Sequence, residues 1–241
     1  MATAQEVKAF IEMIAPIAVR QAEKHGNKIY PSVCIGQACN ESSYGTSPKM
    51  KAANAVFGIK VGKSKYHFAT AWKDKAYSTK TKEFYNGQHQ SITDLFRAYD
   101  SIEDATEDYF DMLCTVGRYK SALNAPDYKT CIRAIAPSYA TAEANNHSYS
   151  NSIISIIEKY NLTRYDPEQI NPYKLSSTLM KIGSRGDSVK WLQFQLRKAG
   201  YDLVIDGIYG PKSEAAIKDF QIKVFADGIA GPLTIEKLTN N

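Results

Sequence analysis

With 241 residues, 44% hydrophobic and 23% charged, the chain has the makeup of an ordinary folded protein. It is long enough for one large domain, or for a medium domain plus a small one. That composition excludes disorder, and the apolar runs fall far short of a membrane span.

The net charge of +5 is unevenly spread: from Lys49 to Lys82 nine lysines face one acid, Asp74, a local +8. Such a patch suits an anionic partner (nucleic acid, a membrane surface, or a wall polymer bearing carboxylates and phosphates) and equally suits a solvated face. No helix-turn-helix, zinc-finger or RNA-recognition pattern accompanies it, so neither nucleic acid nor a stable membrane association is expected.

The opening "MATAQEVKAFIEMIAPIAVRQAEKHG" places Val7, Phe10, Ile11, Ile14 and Ala18 on one stripe and predicts a helix over about 4–24. Glu6 and Glu12 interrupt it, so it does not read as a secretory signal. The expectation is synthesis in the cytoplasm without a signal peptide, with any target outside reached by another route.

A second helix is expected over about 30–44, in "SVCIGQACNESSYGTS". At 100° per residue, Cys34, Ala38 and Glu41 share one face. Gly45 reads as its C-cap, leaving Glu41 in the last turn. The negative end of the helix dipole and burial both disfavour an ionised carboxylate there, so both raise its pKa. A glutamate kept protonated near neutral pH is what a general acid requires.

Between Ala53 and Phe84 the pattern changes: "NAVFGIKV" and "YHFATAW" have the look of a small, irregular β-lobe. Further helices are expected at about 89–98, 102–115, 127–135 and 148–160. A helical body with a β-lobe opposite forms a cleft with Glu41 on its helical wall.

Cys34, Cys39, Cys114 and Cys131 have no metal-ligand spacing and read as small buried hydrophobes; His25, His67, His89 and His147 form no ligand-spaced pair. Neither a metal nor a cofactor is expected.

Residues 163–179 carry Pro167, Pro172 and two serines and read as a linker between domains at 1–162 and 180–241. The second domain opens with "SRGDSVKWLQFQLRKAG". Asp187 or Ser188 would be its cap, Val189, Leu192 and Leu196 share one face, and Gly200 is its stop. A near-repeat follows, "DGIYGPKSEAAIKDFQ" from Asp206 and "DGIAGPLTIEKL" from Asp227. In each, Asp-Gly supplies a turn, and Pro211 and Pro232 stand near the first position of a helix, where a missing N–H costs nothing. Three short helices joined by such turns make a compact bundle.

In order, these motifs resemble the peptidoglycan-binding domain of many wall hydrolases, over residues 180–239. The resemblance implies a shallow groove near the turns, with Asp206, Tyr209 and Asp227 as candidate wall contacts.

In the first domain, "IYPSVCIGQACNESSYGTSPKMKAANAVFGIKV" resembles the signature of the family 73 glycoside hydrolases, the endo-β-N-acetylglucosaminidases of bacterial walls. The likeness continues through "STKTKEFYNGQHQSITDLFRAYDS" and "YAT" at Tyr139. Two departures stand out: Gly36 replaces a usual alanine, and "AEANNHSYS" replaces the usual Asp-Pro after "YAT".

The resemblance implies a mainly α, lysozyme-like domain with a small β-lobe, followed by the three-helix wall-binding bundle. It makes Glu41 the general acid. Glu83, ahead of "FYNGQ", leads as the second carboxylate, though spacing alone does not separate it from Asp74 or Asp94. Tyr139 matches a tyrosine lining the family's site, where its hydroxyl could orient the acetamido group or water. Asn54, Phe57 and Gly58 are candidates for shaping sugar subsites, and Phe57 could as well be core.

The implied function is a peptidoglycan hydrolase that cuts after N-acetylglucosamine. With no signal sequence, a phage endolysin freed when a holin opens the membrane is the expected setting. Muramidase or lytic transglycosylase chemistry on the same fold is one alternative; a non-catalytic wall-binding protein is another.

Overall fold

The computed structural model describes residues 2–62, 71–85, 88–140, 143, 146–167, 171, 173–221 and 226–239; the side chains of 81–85 and 88–92 are outside that description. It forms two compact units, Met1–Pro167 and Glu168–Asn241.

The first unit is built around α2 (Pro31–Ser42). Every residue from Pro31 to Cys39 is buried, so this helix has no solvent face to mark it. Helix α1 (Ala4–Lys24) packs on it through Phe10, Ile11, Ile14 and Ala18, and starts in a reciprocal Thr3–Glu6 capping box. Helix α6 (Ser148–Lys159) packs closely on it: a β-carbon on Gly36 would stand 3.0 Å from Ile153 and 3.1 Å from Ile157. Glycine at 36 is thus the residue that permits this approach.

The N-terminus of α2 is capped from afar. Asp166, just past the short 3-10 turn Leu162–Tyr165, accepts from both the amide and the hydroxyl of Ser32, each at 2.7 Å. Burial pushes this carboxyl up to about 6, against the two Ser32 donors. Residues at the start of the segment read as a linker therefore belong to the first unit's body.

The other end of α2 differs from expectation. Its cap is Ser43, left-handed at φ 50°, rather than Gly45. Gly45 is needed for another reason: at φ +76° its missing β-carbon leaves room for Phe10, which would otherwise be 2.5 Å away.

After α3 (Pro48–Ala53) the "NAVFGIKV" stretch is a loop. Among the described residues it makes one bridge, Lys60 to Phe96, as an irregular part of the expected β-lobe. The hairpin lies later, β1 (Ala76–Tyr85) antiparallel to β2 (Gln88–Arg97), with Ala76 opposite Arg97 and Tyr85 opposite Gln88. The stretch 89–98, expected as a helix, is thus the second strand. Its alternation of Ile92, Leu95 and Phe96 with polar residues fits either period, and pairing with β1 decides it. Most of "YHFATAW" lies outside the described residues. Its Trp72 is buried over the Arg97 guanidinium, 4.1 Å from the ring centre.

Arg97 itself donates to both oxygens of Asp108 (2.8 and 3.0 Å), which also accepts from Tyr99 at 2.6 Å. This buried network ties the end of β2 to α4 (Ile102–Thr115). The lysine-rich face is partly neutralised: Lys60 pairs with Asp94, and Lys73 and Lys75 with Asp100. Helix α5 (Tyr128–Tyr139) runs through Pro137 and so carries Tyr139 on its last turn.

The second unit holds α7 (Asp187–Lys198), α8 (Pro211–Gln221) and α9 (Pro232–Thr239), with proline at the first position of the last two. Val189, Leu192 and Leu196 are buried, and Gly200 follows the helix at φ +100°. The cap of α7 is Gly186 rather than Asp187 or Ser188. Ser188 instead accepts from the amides of Ser176 and Ser177.

The repeat is held by glutamines from the preceding helices. The Gln193 side chain accepts from the Gly207 amide and donates to the Ile208 carbonyl; Gln221 does the same at Gly228 and Ile229. Asp206 and Asp227 each accept the amide two residues on, from Ile208 and Ile229. Tyr209 is 1% exposed and donates to the Gly228 carbonyl at 2.7 Å, linking one repeat to the other. The expectation of a wall contact at Tyr209 is therefore corrected: its ring is core, because the turn folds it inward. Asp206 and Asp227 remain exposed.

Tyr209→Phe leaves the Gly228 carbonyl buried without its donor, and is expected to destabilise the second unit by about 1–3 kcal/mol. Urea unfolding followed by the fluorescence of Trp191 checks this.

Candidate active site

Glu41 projects from the last turn of the buried α2, half-buried, at the end of a chain of hydrogen bonds that starts in the core. The Tyr109 hydroxyl donates to Gln37 Oε1 (2.6 Å), the Gln37 amide donates to the Tyr149 oxygen (2.9 Å), and the Tyr149 hydroxyl donates to Glu41 Oε1 (2.9 Å). Each group spends its donor on the next, so Oε1 is committed to accepting. The Tyr149 bond favours Oε2, which faces Gly58, as the oxygen that carries a proton.

Burial raises the Glu41 pKa, opposed by the charge of Lys49 and by hydrogen bonds from Tyr149 and Asn40. Burial and the neighbouring Glu41 carboxyl hold the Tyr149 phenol well above its ordinary value, so it stays a donor.

Tyr149 is placed by the loop that departs from the family pattern. Glu143 accepts from the Ser150 amide (2.9 Å) and hydroxyl (2.8 Å) and from His147 Nδ1 (2.8 Å), capping α6 where its own N-cap residue offers no side-chain bond. Desolvation would raise the Glu143 pKa, but these three donors outweigh it and hold it low.

Gly58 closes the other side. It is left-handed at φ +59°, and a β-carbon there would stand 2.6 Å from Lys49 Nζ and 3.7 Å from Glu41 Oε2. The bare backbone lets ammonium and carboxyl face the same small space without forming a direct ion pair. The Lys49 ammonium also lies over the Phe96 ring, 5.2 Å from its centre.

The other residues singled out from sequence divide as follows. Tyr139 stacks on Tyr149 at 6.0 Å and donates its hydroxyl to the Phe57 carbonyl at 2.8 Å; only its lone pair is left for a ligand. The Phe57 ring is 2% exposed and stacks on Tyr109 at 4.1 Å. As a subsite-shaping side chain Phe57 is corrected to core, since the loop turns its ring inward and presents its carbonyl to Tyr139. Asn54, left-handed at the end of α3, donates to the Tyr99 carbonyl and shapes the loop. Glu83 lies in β1 opposite Gln90, and its side chain is outside the described residues.

Sequence reasoning missed Tyr149, Lys49 and the relay. Gln37 had a signal, a polar residue one turn before Glu41 in an apolar helix. Tyr149 had none.

The model of the family described as mannosyl-glycoprotein endo-beta-N-acetylglucosaminidase matches residues 15–162. The chain belongs to this glucosaminidase family. The putative peptidoglycan-binding domain model matches residues 185–238 of the second unit. The glucosaminidase domain is 31% identical over 173 residues to the exo-glucosaminidase LytG of Bacillus subtilis, covering 69% of this chain and 55% of that protein. A probable N-acetylmuramidase of Lactococcus lactis is 33% identical over 173 residues, 68% of this chain and 36% of that one. The chain thus spans about half or less of these relatives.

The crystal structure of the catalytic domain of the autolysin Auto from Listeria monocytogenes aligns at a TM-score of 0.56 and 30% identity, over 69% of this chain and 90% of that one. The first unit is thus a catalytic domain of glycoside-hydrolase type.

Two outcomes follow from the geometry. Tyr149→Phe frees one carboxyl oxygen from its anchor and is expected to lower kcat about 10²-fold with a smaller change in KM, read by steady-state kinetics. Lys49→Met removes a charge that favours ionised Glu41, so the pKa of this acid rises further. Activity that needs the protonated form then persists to higher pH, and the alkaline limb of the kcat profile moves up.

Proposed function

We propose that the protein is a peptidoglycan hydrolase cutting the β-1,4 bond after N-acetylglucosamine, with Glu41 as the general acid. The observation that carries this is a half-buried, pKa-raised carboxyl whose Oε1 accepts from Tyr149 while its Oε2 faces Gly58. That arrangement suits protonation of a leaving glycosidic oxygen bound on the Gly58 side. The departing group would be the 4-oxygen of N-acetylmuramic acid.

Glu83 is proposed as the second carboxylate, activating water or steadying the positive charge at the anomeric carbon. The second unit is proposed to hold the enzyme on the wall. A muramidase or lytic transglycosylase reading is favoured by one observation, the likeness to a probable N-acetylmuramidase. A transglycosylase can work with the single acid.

Mass spectrometry of borohydride-reduced fragments from digested peptidoglycan separates these readings. Reduced N-acetylglucosamine ends, absent with Glu41→Gln, are expected. Reduced N-acetylmuramic ends or 1,6-anhydro ends would move the assignment to the second reading.

The same variant has a stability signature. A carboxyl whose folded pKa is raised binds protons more tightly in the native state, so its contribution is fully present below the unfolded value of about 4.3 and is lost as pH rises through the folded value. Glu41→Gln is therefore expected to melt higher than wild type at pH 7, with the gap closing towards pH 4. Calorimetry at both pH values reads it.

A further inference from the structure

Beside Glu41 the first unit holds a pocket of about 310 Å³ between the segment 58–62, the end of α4 with the turn that follows it, and the end of α5. It shares Gly58 and Tyr139 with the surroundings of Glu41, so a group bound there is next to the bond being cut. Its volume is at the small end for ligand pockets, roughly 300–1,000 Å³, which suits one residue-sized group better than a run of sugars.

The lining has two chemistries. Ile59, Val61, Met112 and Val116 make much of it apolar, and two of its three hydroxyls are already spent inside the protein: Tyr119 donates to the Ser138 carbonyl and Tyr139 to the Phe57 carbonyl, which leaves Ser138. The charged groups in it are all cations: Lys60, Arg97 and Arg118. Lys60 is paired with Asp94, and Arg97 is buried against Asp108. Arg118 is exposed, lies over the Tyr119 ring at 4.9 Å, and makes no ion pair among the described residues. An apolar hollow with a flat guanidinium against an aromatic ring suits a ligand that combines methyl groups with a carboxylate.

In peptidoglycan that combination occurs beside the scissile oxygen. The N-acetylmuramic unit carries, on the oxygen next to its 4-oxygen, a lactyl group extended by a short peptide of small and acidic residues. We infer that this pocket receives the lactyl-peptide stem of the leaving sugar, and that Arg118 binds a carboxylate of the peptide part, which an amidase removes. The inference rests on the glycosidase reading above. It makes the enzyme a reader of the stem, preferring peptide-bearing strands to bare glycan.

The test uses the full chain on two substrates, peptidoglycan strands with stems intact and the same strands stripped by an amidase. Wild type is expected to show a KM about five- to tenfold lower on the stem-bearing strands. Arg118→Ala is expected to erase that advantage while leaving kinetics on stripped strands unchanged. Arg118→Lys should keep part of it, and Arg118→Glu should invert it. Equal loss on both substrates with Arg118→Ala, or no preference in wild type, overturns the inference.

A readout without turnover separates this from the reading it rests on. With Glu41→Gln as background, calorimetry measures binding of the disaccharide N-acetylglucosaminyl-N-acetylmuramyl-dipeptide. Weakening of about fivefold or more by Arg118→Ala supports the pocket assignment even if no reducing ends of the expected kind are found. Identical affinities with and without Arg118 overturn it even if the glycosidase reading holds.

Discussion

An ionisable group at the end of a helix with no solvent face is the constraint around which the first unit is arranged. Helix α2 is enclosed by α1, α5, α6 and the turn after α6, and a charge carried out of such a core is costly unless it is neutralised or hydrogen-bonded. Here the carboxyl of Glu41 meets both conditions in part. A directional chain from Tyr109 through Gln37 and Tyr149 supplies one donor, and burial favours the protonated form.

The packing and the chemistry depend on the same small residues. Gly36 lets α6 approach α2 closely enough for Tyr149 to reach across to Glu41. Gly58 lets the loop after α3 pass the carboxyl, and Tyr139 fastens that loop through the Phe57 carbonyl. Phe57 then stacks on Tyr109, where the hydrogen-bond chain begins. The loop and the acid are thus positioned by one continuous set of contacts, so a disturbance in either is felt by both.

The second unit solves a different problem, that of a bundle too small to rely on its core alone. Its turns are fixed by side chains that replace missing backbone partners. Gln193 and Gln221 act as equivalent clamps, Asp206 and Asp227 as equivalent turn acceptors, and Tyr209 crosses from one repeat to the other. The repeat in the sequence is therefore a repeat of turn construction.

The sequence by itself determined the elements whose signal is local. The stripe of α1, the helix-opening prolines and turns of the second unit, the helix carrying Glu41 and that glutamate's place in its last turn all follow from periodicity and end chemistry within a few residues. The motif around Glu41 also carried the family. What only the tertiary structure decided is everything that needs a distant partner. Residues 89–98 became a strand because β1 pairs with them, and Phe57 and Tyr209 turned inward because distant rings and carbonyls receive them. Ser43 ended α2 ahead of Gly45, whose left-handed turn makes room for Phe10. Tyr149 reached Glu41 across 108 residues of sequence, a separation at which no local pattern carries information.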